Sequence, residues 1–464
     1  MITPQTLFAE TALLPGGWSD NVRICIDGHG VIADVASNIA RTATDIDLGG
    51  KCVLPAPANL HSHGFQRAMA GMTERRGPGG NDSFWTWRKV MYQFLDRLNP
   101  DQIEAIAALA FMEMAEAGYG SVVEFHYLHH QRQGTRYDAV GELSDRILAA
   151  AESVGIGLTL LPVLYQHAGC KGEALKGGQR RFGCSLNEFA ALFSHCEKAV
   201  DSSADADNRL GLAAHSLRAV GPDGLDFAVG LAESRVIHMH IAEQEAEIAE
   251  VMAAHGARPV EWLLDHHDVN DRWCLIHCTH MNDYETQAVA KSGAVAGLCS
   301  LTESSLGDGL FRGADFLTSG GRIGMGTDSN IEIGFFNELK TLEYSQRLRD
   351  RKRAIFASRD RSTGRVLFDA ALKGGAQAAS RPCGCIAPGQ FADLIAMDTD
   401  NHWLDGARGD EVIDRMIFAA VPRHRIRDVW SAGRKIVSNG VHGKRDRIIA
   451  RYRAATRLLF DCFT

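Results

Sequence analysis

The chain has 464 residues, of which 45% are hydrophobic and 23% are charged. This balance excludes an intrinsically disordered chain, a collagen-like repeat and a coiled coil, and it predicts a globular protein with a large buried core. The 49 basic residues against 57 acidic ones leave a net charge of −8, which has the wrong sign for general attraction to nucleic acid or anionic lipid. We therefore expect neither nucleic acid nor a membrane as a partner.

The start of the chain and its cysteine content predict a cytoplasmic protein. Residues 1–17 lack the basic start and long apolar run of a signal peptide. Eleven cysteines, an odd number scattered over the chain, favour a reducing compartment. The most apolar long stretch, residues 103–123, carries Glu104, Glu113 and Glu116 at amphipathic spacing, so it predicts a packed helix rather than a membrane span.

Short strand-like runs, separated by glycine-containing turns, occur near both ends of the chain. They cover residues 22–26, 31–35, 391–397, 426–430 and 435–437. No helical period interrupts them. This pattern predicts one small β-sandwich domain built from residues 1–52 and 379–464, the second part also containing a C-terminal helix.

The middle of the chain, residues 53–378, alternates short apolar strands with longer helical patterns. Eight strands are expected, over residues 53–63, 121–127, 157–165, 210–220, 236–243, 273–280, 294–298 and 322–328. Eight strands, each followed by helix-compatible sequence, are what a (β/α)8 TIM-like barrel requires. The predicted fold class is therefore α/β, a barrel domain flanked by the small β-sandwich.

Metal-ligating residue types collect at the carboxyl ends of four of these strands, the face on which barrels of this kind build their sites. His61 and His63 end the first strand, and positions i and i+2 of a strand point the same way. Residues 238–243, 277–280 and 326–329 end the fifth, sixth and eighth strands with further histidines and acids. Several imidazoles with one carboxylate suit Zn²⁺ or a similar divalent ion.

This pattern resembles the amidohydrolase superfamily, which carries His-x-His after strand 1, histidines after strands 5 and 6, and aspartate after strand 8. The resemblance implies one divalent ion, most simply Zn²⁺, held by His61, His63, His240 and Asp328. His238, two residues before His240, is interpreted as a packing residue behind the site. Family members with two metals carry a lysine after strand 4, where residues 213–218 of this chain have none, so we expect one metal.

Three residues are candidates for the chemistry. A metal held in this way lowers the pKa of its water and creates a nucleophile. Glu243 follows His240 by three residues and is expected to shuttle a proton from that water to a leaving nitrogen. His277 is expected to orient water or substrate, with His280 as the competing candidate, and Asp328 has a second role as proton acceptor. These roles describe hydrolytic deamination at a C=N carbon.

The substrate pocket is predicted from polar residues near the mouth of the barrel. The five candidates for substrate binding are Gln66, Arg88, Tyr127, His215 and Arg218. Two arginines on the active face of an acidic chain favour a small dicarboxylate substrate, because arginine matches carboxylate geometry with two hydrogen bonds.

Longer stretches narrow the resemblance. Residues 59–71, 81–88, 124–130 and 215–220 look like those of the formimidoylglutamate deiminase family of histidine breakdown. This likeness implies hydrolysis of N-formimidoyl-L-glutamate to N-formyl-L-glutamate and ammonia, with the same five residues at substrate-binding positions. It also implies a homodimer, which related proteins form. Ser304, Ser305 and Asn330 depart from the expected pattern, and none of them is a proposed metal ligand.

Two other hypotheses about the function are compatible with the sequence. One is a related amidohydrolase with another substrate, such as an imidazolonepropionase-like ring opener or a nucleobase deaminase. The other is a non-catalytic assembly protein that keeps the barrel and loses the metal ligands. The four expected ligands and Glu243 are all present, which disfavours the second reading.

Overall fold

A computed structural model describes residues 1–74, 83–399, 402–419 and 426–460. The strands in these residues are β1 Gln5–Leu14, β2 Gly17–Ile26, β3 Ile32–Ala36, β4 Ile46–Asp47, β5 Lys51–Pro55, β6 Ala58–Ser62, β7 Ser121–His126, β8 Gly157–Leu164, β9 Arg209–Leu210, β10 Leu212–Ala214, β11 Ile237–Ile241, β12 Trp273–His277, β13 Val295–Leu298, β14 Arg322–Met325, β15 Leu394–Asp398, β16 Ile426–Ser431, β17 Arg434–Ser438 and β18 Val441–His442. Asn81 and Asp82 of the 81–88 motif lie outside the described residues.

Helices follow most of the barrel strands. They are α1 Phe84–Leu95, α2 Pro100–Glu116, α3 Glu142–Val154, α4 Leu186–Asp201, α5 Pro222–Ala232, α6 Glu245–His255, α7 Pro259–His266, α8 Asp283–Ser292, α9 Ser300–Leu306, α10 Gly313–Thr318, α11 Phe335–Asp350, α12 Thr363–Ala378, α13 Asp410–Phe418 and α14 Arg445–Phe460. Short 3₁₀ helices cover Gly64–Met69, Arg132–Gly134 and Gly177–Arg181.

The predicted eight-stranded parallel barrel is confirmed. Its strands follow the order β6, β7, β8, β10, β11, β12, β13 and β14, with the short β9 paired to β8. The first and last strands meet where Ser62 pairs with Asp328, and the backbone N–H of Asp328 donates to the carbonyl of His61 at 2.9 Å. Closure of the barrel therefore brings the His-x-His motif beside the aspartate.

Local sequence explains why these elements form. Strands β7, β8, β11 and β12 are buried at every residue, as expected for parallel strands covered on both faces. Helix α2 begins at Pro100 behind Asn99, whose side chain accepts from the N–H of Gln102. Ser185 and Asn282 cap α4 and α8 in the same way.

The first predicted barrel strand is wrong. The apolar run 53–63 is two strands, because Pro55 and Pro57 interrupt it and proline cannot donate to a strand ladder. Strand β5 pairs with β1 and β15 of the terminal sheet, whereas β6 starts the barrel. The chain therefore crosses from one sheet to the other between Pro55 and Ala58.

Both chain termini build the second sheet, as predicted. Its nine strands run in the order β18, β17, β16, β15, β5, β1, β2 and β3, with β4 beside β1. Residues from both ends, such as Ile24, Leu394 and Trp430, share a separate hydrophobic core. The expected C-terminal helix is α14, which packs on α2.

The apolar stretch 103–123 forms most of α2 and the start of β7. Its acidic residues are paired: Glu104 contacts Arg146 and Arg451, Glu113 contacts Arg67, and Glu116 contacts Arg445. In the described parts of the chain, no helix combines the length and the apolar character needed to cross a membrane.

A buried ion network fastens the barrel to the terminal sheet. Arg381 lies between Asp207 and Asp393, at 2.7 and 2.8 Å, and all three side chains are at most 2% exposed. Arg434 reaches the same Asp207 at 2.6 Å. Because these residues come from both parts of the fold, the network fixes how the two sheets are joined.

Candidate metal centre and active site

Four side chains converge at the mouth of the barrel. The ligand atoms of His61, His63, His240 and Asp328 all lie within 4.8 Å of one another, and all four residues are buried. The Nε2 atoms of His61 and His240 are 3.1 Å apart, and those of His61 and His63 lie 3.5 and 3.2 Å from Oδ1 of Asp328. The arrangement is the one expected from the strand ends, and the group could hold a metal ion.

The backbone around the site prepares these imidazoles as ligands. Nδ1 of His63 lies 3.0 Å from the carbonyl of Phe125, and Nδ1 of His240 lies 3.1 Å from the carbonyl of His215. A carbonyl can only accept, so each Nδ1 carries the hydrogen and each Nε2 keeps its lone pair for a metal. The donor set therefore fits a divalent ion.

Electrostatics favour the same protonation states. Burial lowers the pKa of His61 to about 3 and that of His240 well below its usual value, so both rings stay neutral at physiological pH. Burial alone would raise the pKa of Asp328, but its contacts with the imidazoles of His61 and His63 hold it well below its ordinary value. Neutral imidazoles and an ionised carboxylate are the forms that bind metal.

Left-handed backbone conformations end several barrel strands. Ala242, His277 and Asp328 have φ values of 53°, 74° and 46°, a region that side-chain-bearing residues seldom adopt. Such strain concentrates at functional sites, where it turns the chain sharply. It also explains why the predicted strands 236–243 and 273–280 are longer than β11 and β12.

Glu243 and His277 lie next to the four converging residues. Nε2 of His277 is 3.7 Å from Oε1 of Glu243 and 3.9 Å from Oδ2 of Asp328, while its Nδ1 is 3.3 Å from Oε1 of Glu303. Burial alone would lower the pKa of His277, but these carboxylates raise it to about 10. His277 thus lies within 4.0 Å of both other residues predicted to take part in the chemistry, Glu243 and Asp328.

The ring of His280, the alternative to His277, is hydrogen-bonded to a loop instead. Nε2 of His280 donates to the backbone carbonyl of Asp308 at 2.7 Å, so its ring supports the loop after α9. His238 is fully buried and its Nε2 donates to the carbonyl of Ala378 at 2.9 Å. Its interpretation as a packing residue agrees with this contact.

A second group of possible ligands shares Asp328 and adds His277 and Cys299, with ligand atoms within 4.8 Å of one another. Burial raises the pKa of the Cys299 thiol well above its usual value, so the sulfur stays protonated and is a poor ligand. After β10 the chain carries His215 rather than a lysine. Both features favour a single ion at the group of three histidines and Asp328.

The five predicted substrate-binding residues line one pocket together with His63, His240, Glu243, His277 and Asp328. Gln66 donates to the hydroxyl of Tyr127 at 2.8 Å, and Arg88 donates to the hydroxyl of Tyr165 at 3.0 Å. His215 lies beside Tyr165, with ring centroids 4.6 Å apart. The remaining residues of the pocket wall, which sequence analysis did not select, are Phe84, Trp87, Met91, Tyr92, Tyr165, Phe182 and Leu306.

Arg218 is the most buried cation of the pocket wall, at 5% exposure. Its Nη2 lies 3.1 Å from Oε2 of Glu243, and its Nε lies 4.0 Å from Oε2 of Glu247. Burial opposes the charge of Arg218, but Glu247 and Glu243 raise its pKa, so the guanidinium stays positive. An anionic ligand that reaches Arg218 competes with Glu243 for it.

Two carboxylates that stabilise the site, those of Glu247 and Glu303, are not among the candidates predicted from the sequence. Glu247 accepts from the N–H groups of Ala242 and Glu243, at 3.1 and 3.0 Å, and so fixes the turn after β11. Glu303 accepts from the N–H of Cys299 at 2.9 Å while it holds His277. The sequence does contain one indication of a role for Glu247. It lies four residues after Glu243, in the first turn of a helix, where an acidic side chain is favourable.

The three departures from the expected family pattern have different consequences. Ser304 and Ser305 are exposed, so they leave the pocket wall unchanged. Asn330 is buried in a left-handed conformation and donates to the carbonyl of His63 and the hydroxyl of Ser62, both at 3.2 Å. Asn330 therefore stabilises the backbone turn that carries the proposed ligand His63.

Comparison with known proteins identifies the family. The Amidohydrolase family matches residues 52–436, and Formimidoylglutamate deiminase HutF, N-terminal domain, matches residues 5–46. The chain belongs to the amidohydrolase family. Formimidoylglutamate deiminase of Pseudomonas aeruginosa is 47% identical over 445 residues, which cover 96% of this chain and 97% of that relative. These matches confirm both resemblances inferred from the motifs.

Solved structures agree on the fold of this amidohydrolase. An amidohydrolase from Brucella melitensis has a TM-score of 0.93 at 46% sequence identity and covers 98% of this chain and 100% of its own. An adenosine deaminase from Xanthomonas campestris with bound zinc has a TM-score of 0.82 at 18% identity, covering 99% and 100%. The second likeness shows the shared fold alone.

Proposed function

We propose that this chain is a metal-dependent formimidoylglutamate deiminase that hydrolyses N-formimidoyl-L-glutamate to N-formyl-L-glutamate and ammonia, a step of histidine degradation. It is a hydrolase of C–N bonds, as the family and its 47% identical relative indicate. The observation that carries the substrate assignment is the lining of one pocket, in which Arg88 and Arg218 join the histidines and carboxylates of the candidate metal site.

We assign the metal to His61, His63, His240 and Asp328. When bound, a divalent ion would lower the pKa of a coordinated water towards neutrality and so provide the nucleophile. Three imidazoles and one carboxylate suit tetrahedral Zn²⁺. Zn²⁺ is therefore the proposed ion, and a metal analysis of the purified protein against Fe²⁺ and Mn²⁺ tests it.

Proton transfer is assigned to the side chains beside the ligands. Asp328 accepts a proton from water, His277 orients the water by hydrogen bonding, and Glu243 delivers a proton to the leaving nitrogen. The 3.7 and 3.9 Å separations of His277 from Glu243 and Asp328 support a shared path for this proton. Overall, water supplies the oxygen of the formyl group, and the amidine nitrogen leaves as ammonium.

Substrate recognition is assigned to the polar side chains of the pocket wall beside the reacting groups. Arg88 and Arg218 would bind the two carboxylates of the glutamate moiety, and Gln66, Tyr127 and His215 would complete the polar wall. Burial strengthens such contacts, because few waters compete with the bound carboxylate.

Ammonia release by the purified metal-loaded protein tests the function. We expect turnover of N-formimidoyl-L-glutamate and no turnover of guanine, cytosine or adenosine. Turnover of a nucleobase or nucleoside, or of imidazolonepropionate, with none of formimidoylglutamate would replace this assignment with another amidohydrolase activity. Absence of metal binding would instead support the non-catalytic alternative.

Cytoplasmic location and a homodimer also remain proposals. The ten cysteines in the described residues are unpaired, which is in keeping with a reducing compartment. Light scattering on the eluted protein measures the oligomeric state directly. Fractionation of the cells that make the protein measures its location.

A further inference from the structure

Tyr165 lies in the pocket wall and has no role in the function proposed above. It directly follows the last residue of β8, at the carboxyl end of that strand, and is 1% exposed. It lines the pocket together with Arg88 and Arg218. Nη2 of Arg88 donates to its hydroxyl at 3.0 Å, and Nε2 of Gln179 donates to the same oxygen at 3.2 Å. The hydroxyl is therefore hydrogen-bonded to one of the two arginines assigned to the substrate.

Both neighbours of this hydroxyl can only donate to it. The guanidinium of Arg88 has no acceptor atom. The amide of Gln179 is oriented by the N–H of Lys176, which donates to Oε1 at 3.4 Å, so Nε2 is the atom that faces Tyr165. The hydroxyl oxygen must therefore accept two hydrogen bonds, and its own hydrogen has no acceptor among the described residues. One buried O–H group is thus left to donate to a ligand in the pocket.

Arg88 keeps donors for the same ligand. Its guanidinium carbon lies 5.7 Å from the ring centroid of Trp85 and 5.4 Å from that of Tyr92. Contacts with aromatic faces restrain a guanidinium without using its N–H groups. Because a guanidinium has five N–H donors, the hydrogen bond to Tyr165 leaves others for a ligand.

A pair of groups that can only donate selects the chemical form of its ligand. A carboxylate presents two acceptor oxygens, so it can accept from Arg88 and from the hydroxyl of Tyr165 together. A carboxamide presents one acceptor oxygen and an NH₂ group. That NH₂ group finds no acceptor on Tyr165, because the hydroxyl oxygen already accepts from Arg88 and Gln179. The pair therefore favours a carboxylate over a carboxamide of the same size.

We infer that Tyr165 is a further substrate-binding and specificity-determining residue, whose hydroxyl donates to the same substrate carboxylate that Arg88 binds. This inference rests on the proposed function, in which the substrate is a dicarboxylate. It adds the expectation that the enzyme discriminates against a substrate in which this carboxylate is replaced by an amide.

Tyr165→Phe tests the inference, because phenylalanine keeps the ring and loses only the hydroxyl. In the metal-loaded enzyme we expect kcat/KM for N-formimidoyl-L-glutamate to fall about 10- to 100-fold, the scale of a hydrogen bond to a charged group. The loss should lie in KM, since Tyr165 has no part in the proposed proton transfer. Tyr284→Phe is the matched control, because Tyr284 is exposed on α8 and should leave both constants as in the parent protein.

A double variant separates donation by Tyr165 from its support of Arg88. Arg88→Met removes the guanidinium, so a hydroxyl that acts only by holding Arg88 then has no group to position. We expect Tyr165→Phe to lower kcat/KM by a further factor of about five or more in the Arg88→Met background. No further loss in the double variant would overturn the hydrogen bond to substrate. A single variant with unchanged KM would overturn it too, and a loss confined to kcat would assign Tyr165 to another step.

A binding experiment distinguishes failure of this inference from failure of the proposed function. N-formyl-L-glutamate is compared with N-formyl-L-glutamine and N-formyl-L-isoglutamine, in which the side-chain or the α-carboxylate is an amide, and calorimetric titration needs no turnover. We expect the metal-loaded parent protein to bind the dicarboxylate more tightly than either amide, and Tyr165→Phe to reduce one of these two preferences. A parent protein without either preference, or a Tyr165→Phe variant that keeps both unchanged, overturns the role of Tyr165. Absence of formimidoylglutamate turnover alone overturns only the proposed function.

Discussion

Replacement of Glu243 by glutamine isolates its proton-transfer role. The side chain is 5% exposed, with one oxygen 3.1 Å from Arg218 and the other 3.7 Å from His277. Glutamine has nearly the same shape but cannot take up and deliver a proton. None of the four proposed ligands changes, so we expect the variant to fold and to retain its metal.

We expect the Glu243→Gln substitution to lower kcat. General acid and base groups contribute about 10²- to 10⁴-fold, which corresponds to about 3 to 5 kcal/mol of transition-state free energy at 1.36 kcal/mol per decade. KM should not rise, because the neutral amide competes less with substrate carboxylate for Arg218. Steady-state ammonia release and metal content of the same sample measure both effects.

Glu245→Gln provides the matched control, since Glu245 is exposed two residues further on. It should retain the parent rate. A Glu243→Gln variant with near-normal kcat would remove Glu243 from proton transfer. A raised KM with normal kcat would instead assign Glu243 to substrate binding.

Three further predictions concern the substrate, the metal and the stability of the fold. Arg218→Lys should raise KM about tenfold or more with little change in kcat, because lysine loses the planar two-point contact, and an unchanged KM would contradict carboxylate binding there. Asp328→Asn should lose metal and activity together, and added Zn²⁺ should restore the chelator-treated parent protein but not the variant; metal retention by the variant, measured by elemental analysis, would contradict the ligand assignment. Arg381→Met should lower the free energy of unfolding in urea by about 3–5 kcal/mol, because it removes the arginine paired with the buried Asp393 and one of the two arginines paired with Asp207; a loss below 1 kcal/mol, roughly the value of a surface pair, would refute this reasoning. Burial would raise the pKa of Asp207, but Arg381 and Arg434 hold it well below its ordinary value; the unfolded chain therefore takes up this proton first, so stability should be complete above about pH 4 and should decline as the pH falls further. Urea melts at several acidic pH values measure that decline, which should be smaller in Arg381→Met.

The positions of the proposed ligands could be predicted from sequence because barrel topology leaves little freedom. Carboxyl ends of parallel strands lie on one face, so His63, His240 and Asp328 meet once their strands are recognised. Alternation along a strand then adds His61 to the same side. Burial of these strands on both faces gives the continuous apolar runs that make them visible.

Details that depend on backbone outside the strand ladders could not be predicted in this way. Pro55 and Pro57 divide the run 53–63, but only the pairing of β5 with β15 shows that its first part belongs to the terminal sheet. Asp308 follows a left-handed turn at Gly307, whose φ is 70°. Spacing along the sequence does not report where such a turn directs the following residues.

Chemistry and specificity come from different parts of this chain. The proposed ligands and Glu243 lie at or just beyond the ends of β6, β11 and β14, whereas Arg88 lies on α1 and Arg218 lies four residues beyond β10. Loops and added helices tolerate changes that the hydrogen-bonded barrel does not, so a different substrate requires changes mainly in α1 and the loop after β10. The shared barrel and family therefore identify a hydrolase, while in our proposal its choice of substrate depends on the two arginines.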